Sequence, residues 1–353
     1  MADNNISMLI AGPCSAESEK LCMETAEQIL KQNRIDIFRA GIWKPRSLHN
    51  TYKGPHEEGL KHLMKVQNEF HIPVATEVGT EEHVKACTDA GMKHVWLGAR
   101  SVANPFTIDE LAVALEGTGL KVMVKNPIVA DINLWTGAVE KLQSRNIEIH
   151  ALIHRGFATY EESVYRNEPL WSVFAAMKNR FPSIPILADP SHMAGKAAYV
   201  PVLAQQAIDM EANGLMIEVH ANAKNALSDA AQQITPTDFH RLMENLTQRT
   251  TSCCDGISIQ EMREELDETD ERLIKILSQR MDIIRRMGQL KKENNISVLQ
   301  FDRWREVLEN RLAVGEKSKI DRDFLLKLLK SIHDESLRIQ LEIMNDGKKE
   351  DEK

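Results

Sequence analysis

Four side chains of the kind that hold a transition metal are scattered along the first two thirds of the sequence: Cys14, His192, Glu218 and Asp229. Their spacing is not that of a zinc ribbon, so they serve one ion only if the fold gathers distant loops. A thiolate, an imidazole and two carboxylates form a donor set of mixed hardness, open to Mn, Fe, Co or Zn. Taken singly, each has a structural alternative: buried thiol, capping histidine, strand carboxylate, helix N-cap. Five cations occupy the same stretch: Lys44, Arg46, Arg100, Lys125 and Arg155. Glu77 and Asp189 could neutralise only part of that cluster, and the remainder calls for anions. Arginine offers phosphate a two-pronged donor and lysine a point charge, so the expected ligands carry phosphate and carboxylate.

These residues need elements that aim them at one place. Eight short apolar runs recur at intervals of about 20 to 40 residues with helical patterns between them, which is βα repetition. The runs are Met8–Ala11, Ile35–Phe38, Val74–Thr76, His94–Leu97, Val122–Val124, Ile147–Ile153, Ile186–Ala188 and Leu215–Val219. Eight such units suit a TIM barrel, and an open doubly wound sheet is the alternative. Polar residues crowd the C-terminal ends of the runs: Cys14, Arg39, Lys44, Glu77, Arg100, Lys125, His154, Arg155, Asp189, His192 and Glu218. A barrel directs all its strand ends at a single mouth, so the pattern favours the α/β barrel.

Near Cys254 the composition changes. Residues 255 to 353 hold no proline and 43 charged residues in 99, the mark of long exposed helices. The expected division is a barrel domain over 1–252 and an all-helical domain over 253–353. In the latter an apolar stripe runs through Ile259, Met262, Leu266, Leu273, Ile276, Ile283, Met287 and Leu290. At about 1.5 Å per residue that helix is roughly 50 Å long, so a bundle or dimer is expected. Arg280 interrupts the stripe, Lys291 follows three turns later on nearly the same face, and Ser336 and Gln340 interrupt the last helix. Such polar groups either set the register of a coiled coil or meet an anionic ligand.

Net charge of -8 gives no broad basic field for nucleic acid or an anionic membrane surface. No window approaches the length of an apolar membrane span, the first residues lack a signal peptide's pattern, and five cysteines without framework spacing fit a reducing compartment. A cytoplasmic protein is expected.

Ala11-Gly12-Pro13-Cys14-Ser15, Lys44-Pro45-Arg46-Ser47, Gly98-Ala99-Arg100, Asp189-Pro190-Ser191-His192 and Glu218-Val219-His220 together resemble the 3-deoxy-D-arabino-heptulosonate 7-phosphate (DAHP) synthases, type I beta. The resemblance implies condensation of phosphoenolpyruvate with erythrose 4-phosphate. It implies a divalent metal on Cys14, His192, Glu218 and Asp229. Arg100, Lys125 and Arg155 would clamp phosphoenolpyruvate, with Arg39 and Asp189 also at the substrate. Lys44 would donate between the two substrates, Arg46 and Ser47 would take the sugar phosphate, and Glu77 would orient the attacking water. The related octulosonate 8-phosphate synthases carry K-A-N where this chain has Lys44-Pro45-Arg46, and they use arabinose 5-phosphate. The chain departs from K-P-R-T-S-P at Leu48-His49-Asn50, and Met193-Ala194 follow the proposed metal histidine.

The tail resembles the all-helical chorismate mutases through Met262-Arg263-Glu264, Gln279-Arg280, Gly288-Gln289-Leu290-Lys291, Asp302-Arg303, and Ser336 with Gln340. The resemblance implies rearrangement of chorismate to prephenate, which needs a cationic pocket and no cofactor. Arg280 and Arg263 would bind carboxylates, the latter in a partner subunit of a homodimer or larger assembly. Lys291 and Gln340 would meet the ether oxygen, and Arg303 and Ser336 would complete the pocket. Gln300 and Trp304 stand where relatives often carry acids. Both activities fall in aromatic amino-acid biosynthesis, so a bifunctional shikimate-pathway enzyme is expected. The alternative makes the tail a noncatalytic module for dimerisation or prephenate sensing. With the first strand starting near Met8, the tail is also the expected seat of feedback by prephenate or chorismate.

Overall fold

A computed structural model describes residues 7–44, 52–160, 163–248 and 259–345. The chain forms two compact units, 1–250 and 251–353. The first is a closed barrel of eight parallel strands in sequential order. They are β1 (Met8–Gly12), β2 (Ile37–Arg39), β3 (Val74–Val78), β4 (His94–Leu97), β5 (Lys121–Lys125), β6 (Ile149–His154), β7 (Ile186–Ala188) and β8 (Gly214–Glu218). Closure through β1 against β8, with Met8 beside Gly214 and Gly12 beside Glu218, rules out the open sheet.

Alternation along each strand divides the apolar residues into two cores. Ile10, Ile37, Ala75, Trp96, Met123, Ile153, Leu187 and Met216 fill the barrel interior. Their neighbours, among them Ala11, Phe38, Val74, Val95, Val124, Leu152, Ala188 and Ile217, pack on the surrounding helices. Both faces of each strand are therefore buried, which is why the strands read as nearly unbroken apolar runs. Several helices start where a side chain accepts from a free backbone N–H: Ser18 before Glu19–Leu30, Thr80 before Glu81–Asp89, and Asp131 before Ile132–Ser144. Gly12 ends β1 at a φ of 148°, with room for no β-carbon because Arg39 O would lie 2.2 Å from it.

The described residues of the second unit form three helices, Ile259–Glu293, Phe301–Lys317 and Arg322–Asn345. The first packs along the third, where Gly288 lets Ile343 and Gln340 approach its backbone. Much of the apolar stripe on the first helix stays open: Met262, Leu266, Leu273 and Ile276 are all more than half exposed. No helix among the described residues is long and apolar enough to cross a membrane.

Candidate active sites

The barrel site follows from the period of two. The inward-facing Ile37, Ala75, Met123, Ile153, Leu187 and Met216 are succeeded two residues later by Arg39, Glu77, Lys125, Arg155, Asp189 and Glu218. An ionised layer thus lies directly on the apolar filling of the barrel, at the C-terminal ends of the strands. Trp96 joins the two layers. Its Nε1 donates to Glu77 Oε2 at 2.9 Å, while the Arg39 guanidinium stands 4.8 Å and the Lys125 ammonium 5.6 Å from its ring. On β4 the corresponding position is Gly98, where a β-carbon would sit 2.3 Å from Glu77 Oε1.

Buried charges in the layer are paired. Lys125 Nζ meets Asp189 Oδ2 at 2.9 Å, and Arg39 lies 3.3 Å from Glu218 Oε1. Burial would raise Asp189, but His192 and Lys125 outweigh it and hold the carboxyl well below the usual carboxylate range. Arg155 is fixed by Asn167 Oδ1 at 2.8 Å, and Asn126 accepts from its backbone N–H. Burial, partly opposed by Asp189, pulls the Arg155 guanidinium down to about 10, and the like charges of Arg166 and Arg100 push the same way. A guanidinium with two like-charged neighbours at the C-terminal ends of the strands forms a ready anion site.

The expected metal donors stand as two pairs. Cys14 Sγ lies 3.4 Å from Asp229 Oδ2, and His192 Nε2 lies 3.7 Å from Glu218 Oε1. Among the described residues, no three His, Cys, Asp or Glu side chains enclose an ion as they are placed. Lys44 Nζ instead lies against the thiol at 3.1 Å and the Cys14 carbonyl at 2.5 Å. The chemistry of the donors still fits a cation. Glu218 Oε1 is buried and accepts no hydrogen bond. His192 Nδ1 lies 2.7 Å from Asp189 Oδ2, which with a proton on Nδ1 leaves the Nε2 lone pair toward Glu218. Burial, reinforced by Glu218, pushes the Cys14 thiol up to about 12, a preference that a divalent ion reverses.

Arg46 and Ser47 lie outside the described residues. Arg39 is almost wholly buried within the layer beside Glu218, and Arg100 is exposed in the short helix Ala99–Val102. His154, grouped above with the strand-end residues, points the other way. Its ring packs among Trp135, Phe157, Trp171 and Phe174 and contacts Pro169 O. Trp96 and Arg166 went unread in the sequence. Arg166 reaches Asp229 Oδ1 at 2.9 Å and Gln232 Oε1 at 2.8 Å from a segment outside any strand, so only its place in a chain rich in other loop arginines was visible.

In the helical unit a cavity of about 350 Å³ gathers Arg280, Lys291, Arg303, Ser336 and Gln340. Arg280 donates to Ser336 Oγ at 2.6 Å, and Lys291 donates to Val298 O at 2.7 Å. Gln340 Oε1 is buried without a donor. Burial, reinforced by Arg311, draws Arg280 down, and burial does the same to Lys291. Arg311 also lines the cavity, as do Gln300 and Trp304, the latter stacked on His333 at 3.7 Å. Among the described residues no carboxylate lines it. Arg263 is absent from it, lying 17 residues before Arg280 on the same helix.

Residues 2–253 match the model of the DAHP synthetase I family, and residues 262–341 match chorismate mutase type II. The chain belongs to the DAHP synthetase I family. It is an enzyme whose synthase domain is followed by a chorismate mutase domain. A phospho-2-dehydro-3-deoxyheptonate aldolase of Thermotoga maritima is 28% identical over 257 residues, covering 72% of this chain and 72% of that protein. A 2-dehydro-3-deoxyphosphooctonate aldolase of Koribacter versatilis is 30% identical over 240 residues, covering 64% of this chain and 84% of its own. The crystal structure of the Thermotoga maritima DAHP synthase superposes with a TM-score of 0.61 at 28% identity, covering 69% of this chain and 68% of that one.

Proposed function

We propose that the barrel condenses phosphoenolpyruvate with erythrose 4-phosphate to DAHP and phosphate. The observation that carries this reading is the ionised layer on the barrel filling, where Arg155 has Arg166 and Arg100 as like-charged neighbours. Arg100, Lys125 and Arg155 bind the carboxylate and phosphate of phosphoenolpyruvate and stabilise charge as it develops. Asp189 keeps Lys125 in place, Arg39 pairs with Glu218 within the layer, and Glu77, oriented by Trp96, aligns the water that adds at C2. Lys44, already against Cys14, donates a proton between the substrates. Arg46 and Ser47 take the sugar phosphate. Cys14, His192, Glu218 and Asp229 would hold a divalent ion of the Mn, Fe, Co or Zn group, and such an ion would supply Lewis acidity toward the aldehyde. The test is consumption of phosphoenolpyruvate with erythrose 4-phosphate, with arabinose 5-phosphate as the competing aldehyde, before and after chelation and metal return. Preference for the five-carbon sugar overturns the substrate, and indifference to chelation overturns the four ligands.

For the helical unit the proposed reaction is chorismate to prephenate. Four cations, Arg280, Lys291, Arg303 and Arg311, line a cavity with no carboxylate among the described residues, which suits a dianion and makes little sense as a structural core. Arg280, oriented by Ser336, binds a carboxylate, and Lys291 and Gln340 face the ether oxygen as it gains charge. Arg263 serves a second copy across the open stripe of Met262, Leu266, Leu273 and Ile276, giving a homodimer or larger assembly. Prephenate formation by the full chain, abolished in Arg280→Ala, is the expected result. A chain that leaves chorismate unchanged makes the tail a dimerisation or prephenate-sensing module.

A further inference from the structure

Two consecutive glutamines, Gln232 and Gln233, lie buried beside the proposed donors. Their backbone is pinned to the end of β8 through the next residue. The Ile234 N–H donates to Glu218 O at 3.1 Å, and the Ile234 carbonyl accepts from the His220 N–H at 3.0 Å. From there the two side chains reach different partners. Gln232 Nε2 donates to Glu218 Oε2 at 2.7 Å, while its Oε1 accepts from Arg166 at 2.8 Å. The same Arg166 nitrogen holds Asp229 Oδ1 at 2.9 Å. Gln233 Oε1 accepts from the Cys14 N–H at 2.8 Å, and its Nε2 donates to Ser228 O at 2.8 Å. Each amide satisfies both partners in one orientation only, because a carboxylate or carbonyl needs the NH2 end and an N–H donor needs the oxygen.

Between them the two amides engage the carboxylate of one proposed donor, the backbone of a second and the peptide neighbour of a third. Gln232 occupies Glu218 Oε2, leaving Oε1 as the oxygen that stands 3.7 Å from His192 Nε2. Gln233 ties Cys14 to Ser228, the residue before Asp229, and Cys14 Sγ stands 3.4 Å from Asp229 Oδ2. Asp229 has a φ of 49°, a left-handed conformation that an L residue keeps only where its surroundings hold it. Apolar side chains would fill the same volume without the cost of burying two amides, so the bonds themselves point to a geometric role. We propose that Gln232 and Gln233 are positioning residues that hold Cys14, Glu218 and Asp229 at the spacing a divalent ion needs, Gln232 from the carboxylate side and Gln233 from the thiolate side. The inference rests on the four-ligand reading above and concerns residues that are not themselves donors.

Titration of the full-length, metal-free protein with Co(II) tests this, because the thiolate-to-cobalt absorption band reports Cys14 directly. Gln232→Met and Gln233→Met keep the volume and remove the bonds. Each should weaken Co(II) binding by about 10- to 100-fold, the usual effect of losing a group that orients a ligand. Gln233→Met should also shift or weaken the thiolate band, whereas Gln232→Met should leave it in place. A purely structural role would lower the urea midpoint and leave the titration unchanged. Gln205→Met, which removes a glutamine bonded to Asp209 and Thr247 outside the donor set, supplies that baseline. Gln233→Glu keeps the acceptor for the Cys14 N–H and loses the donor to Ser228, so it reads the same tie if Gln233→Met does not fold. Wild-type Co(II) affinity in the Gln232 and Gln233 variants overturns the proposal and leaves the four ligands standing. A wild type with no thiolate band removes Cys14 from the ion, and the four-ligand reading and the proposal then fall together.

Discussion

Lys125 and Asp189 meet at 2.9 Å across the barrel mouth, with 4% and 0% of their side chains exposed. Neither charge has bulk water to fall back on, so the pair is a structural unit as well as part of the proposed substrate site. Removing one partner of a buried pair costs roughly 3–5 kcal/mol because the other is left uncompensated. Lys125→Met should therefore lower the unfolding midpoint of the barrel in urea and abolish turnover. Adding Asp189→Asn should recover most of the stability and none of the turnover. Recovery of both in the double variant would show that Lys125 is only a counter-ion.

Gly98 and Glu77 compete for one volume. A β-carbon at 98 would lie 2.3 Å from Glu77 Oε1, and the carboxylate, being the end of a side chain, can move away at small cost in stability. Moving it breaks the 2.9 Å bond from Trp96 Nε1 and misaligns the group assigned to orient water. Gly98→Ala should cost about 1–2 kcal/mol in stability yet lower kcat about a hundredfold, with KM for phosphoenolpyruvate changed little. Comparing urea midpoints with kcat separates the two effects. A kcat within twofold of wild type would remove Glu77 from the chemistry.

His154 gives the barrel a pH dependence. Burial among aromatic rings pulls its pKa down to about 4, against an ordinary value of 6.5, with Arg155 adding to the shift and the Pro169 carbonyl opposing it. Between those pH values the unfolded chain binds the proton and the native chain does not. Stability from this group is complete above pH 6.5 and falls on acidification, by up to ~1.4 kcal/mol per pH unit, until about pH 4. Urea unfolding at pH 7 and at pH 5 should show the loss, and His154→Phe should flatten it while losing about 1 kcal/mol at pH 7 with the bond to Pro169. An equal slope in the variant would place the proton uptake elsewhere, His94 being the other histidine held down to about 4.

The barrel and its mouth were legible because chemistry and geometry share the two-residue period of a strand. Lys125, Arg155, Asp189 and Glu218 follow inward-facing apolar residues, so parity alone aims them at the mouth. The same parity, applied to Ile153-His154-Arg155, turns His154 outward, which crowding of polar residues at the strand end concealed. Trp96 was hidden because its bulk reads as filling, and its role depends on a carboxylate one strand away. Arg166 lies in irregular chain with no period to read, and Asp229 pairs with it only through the folded loops. In the tail, helical spacing set Arg280, Lys291, Ser336 and Gln340 on a common cavity. Arg311 escaped because it belongs to the middle helix, whose rotation relative to the other two follows from packing.

Arg311 carries the last prediction. Arg303 donates to Glu306 at 2.8 Å on its own helix, whereas Arg311 has no ion pair or hydrogen bond among the described residues. It lines the cavity close enough to Arg280 to lower that group's pKa. Two guanidiniums on one cavity, with no acid among its described lining residues, gain most from a carboxylate that bridges them. Arg311→Ala should therefore reduce kcat/KM for chorismate by about 10- to 100-fold, on the order of 1.4–2.8 kcal/mol, chiefly through KM. The same change at Arg286, exposed on the first helix and outside the cavity, should leave the rate within twofold. Following prephenate formation in the full chain reads both variants directly. Equal effects at the two positions would mean that Arg311 contributes only to the general positive field, and the second carboxylate would then fall to Arg263 of a second copy.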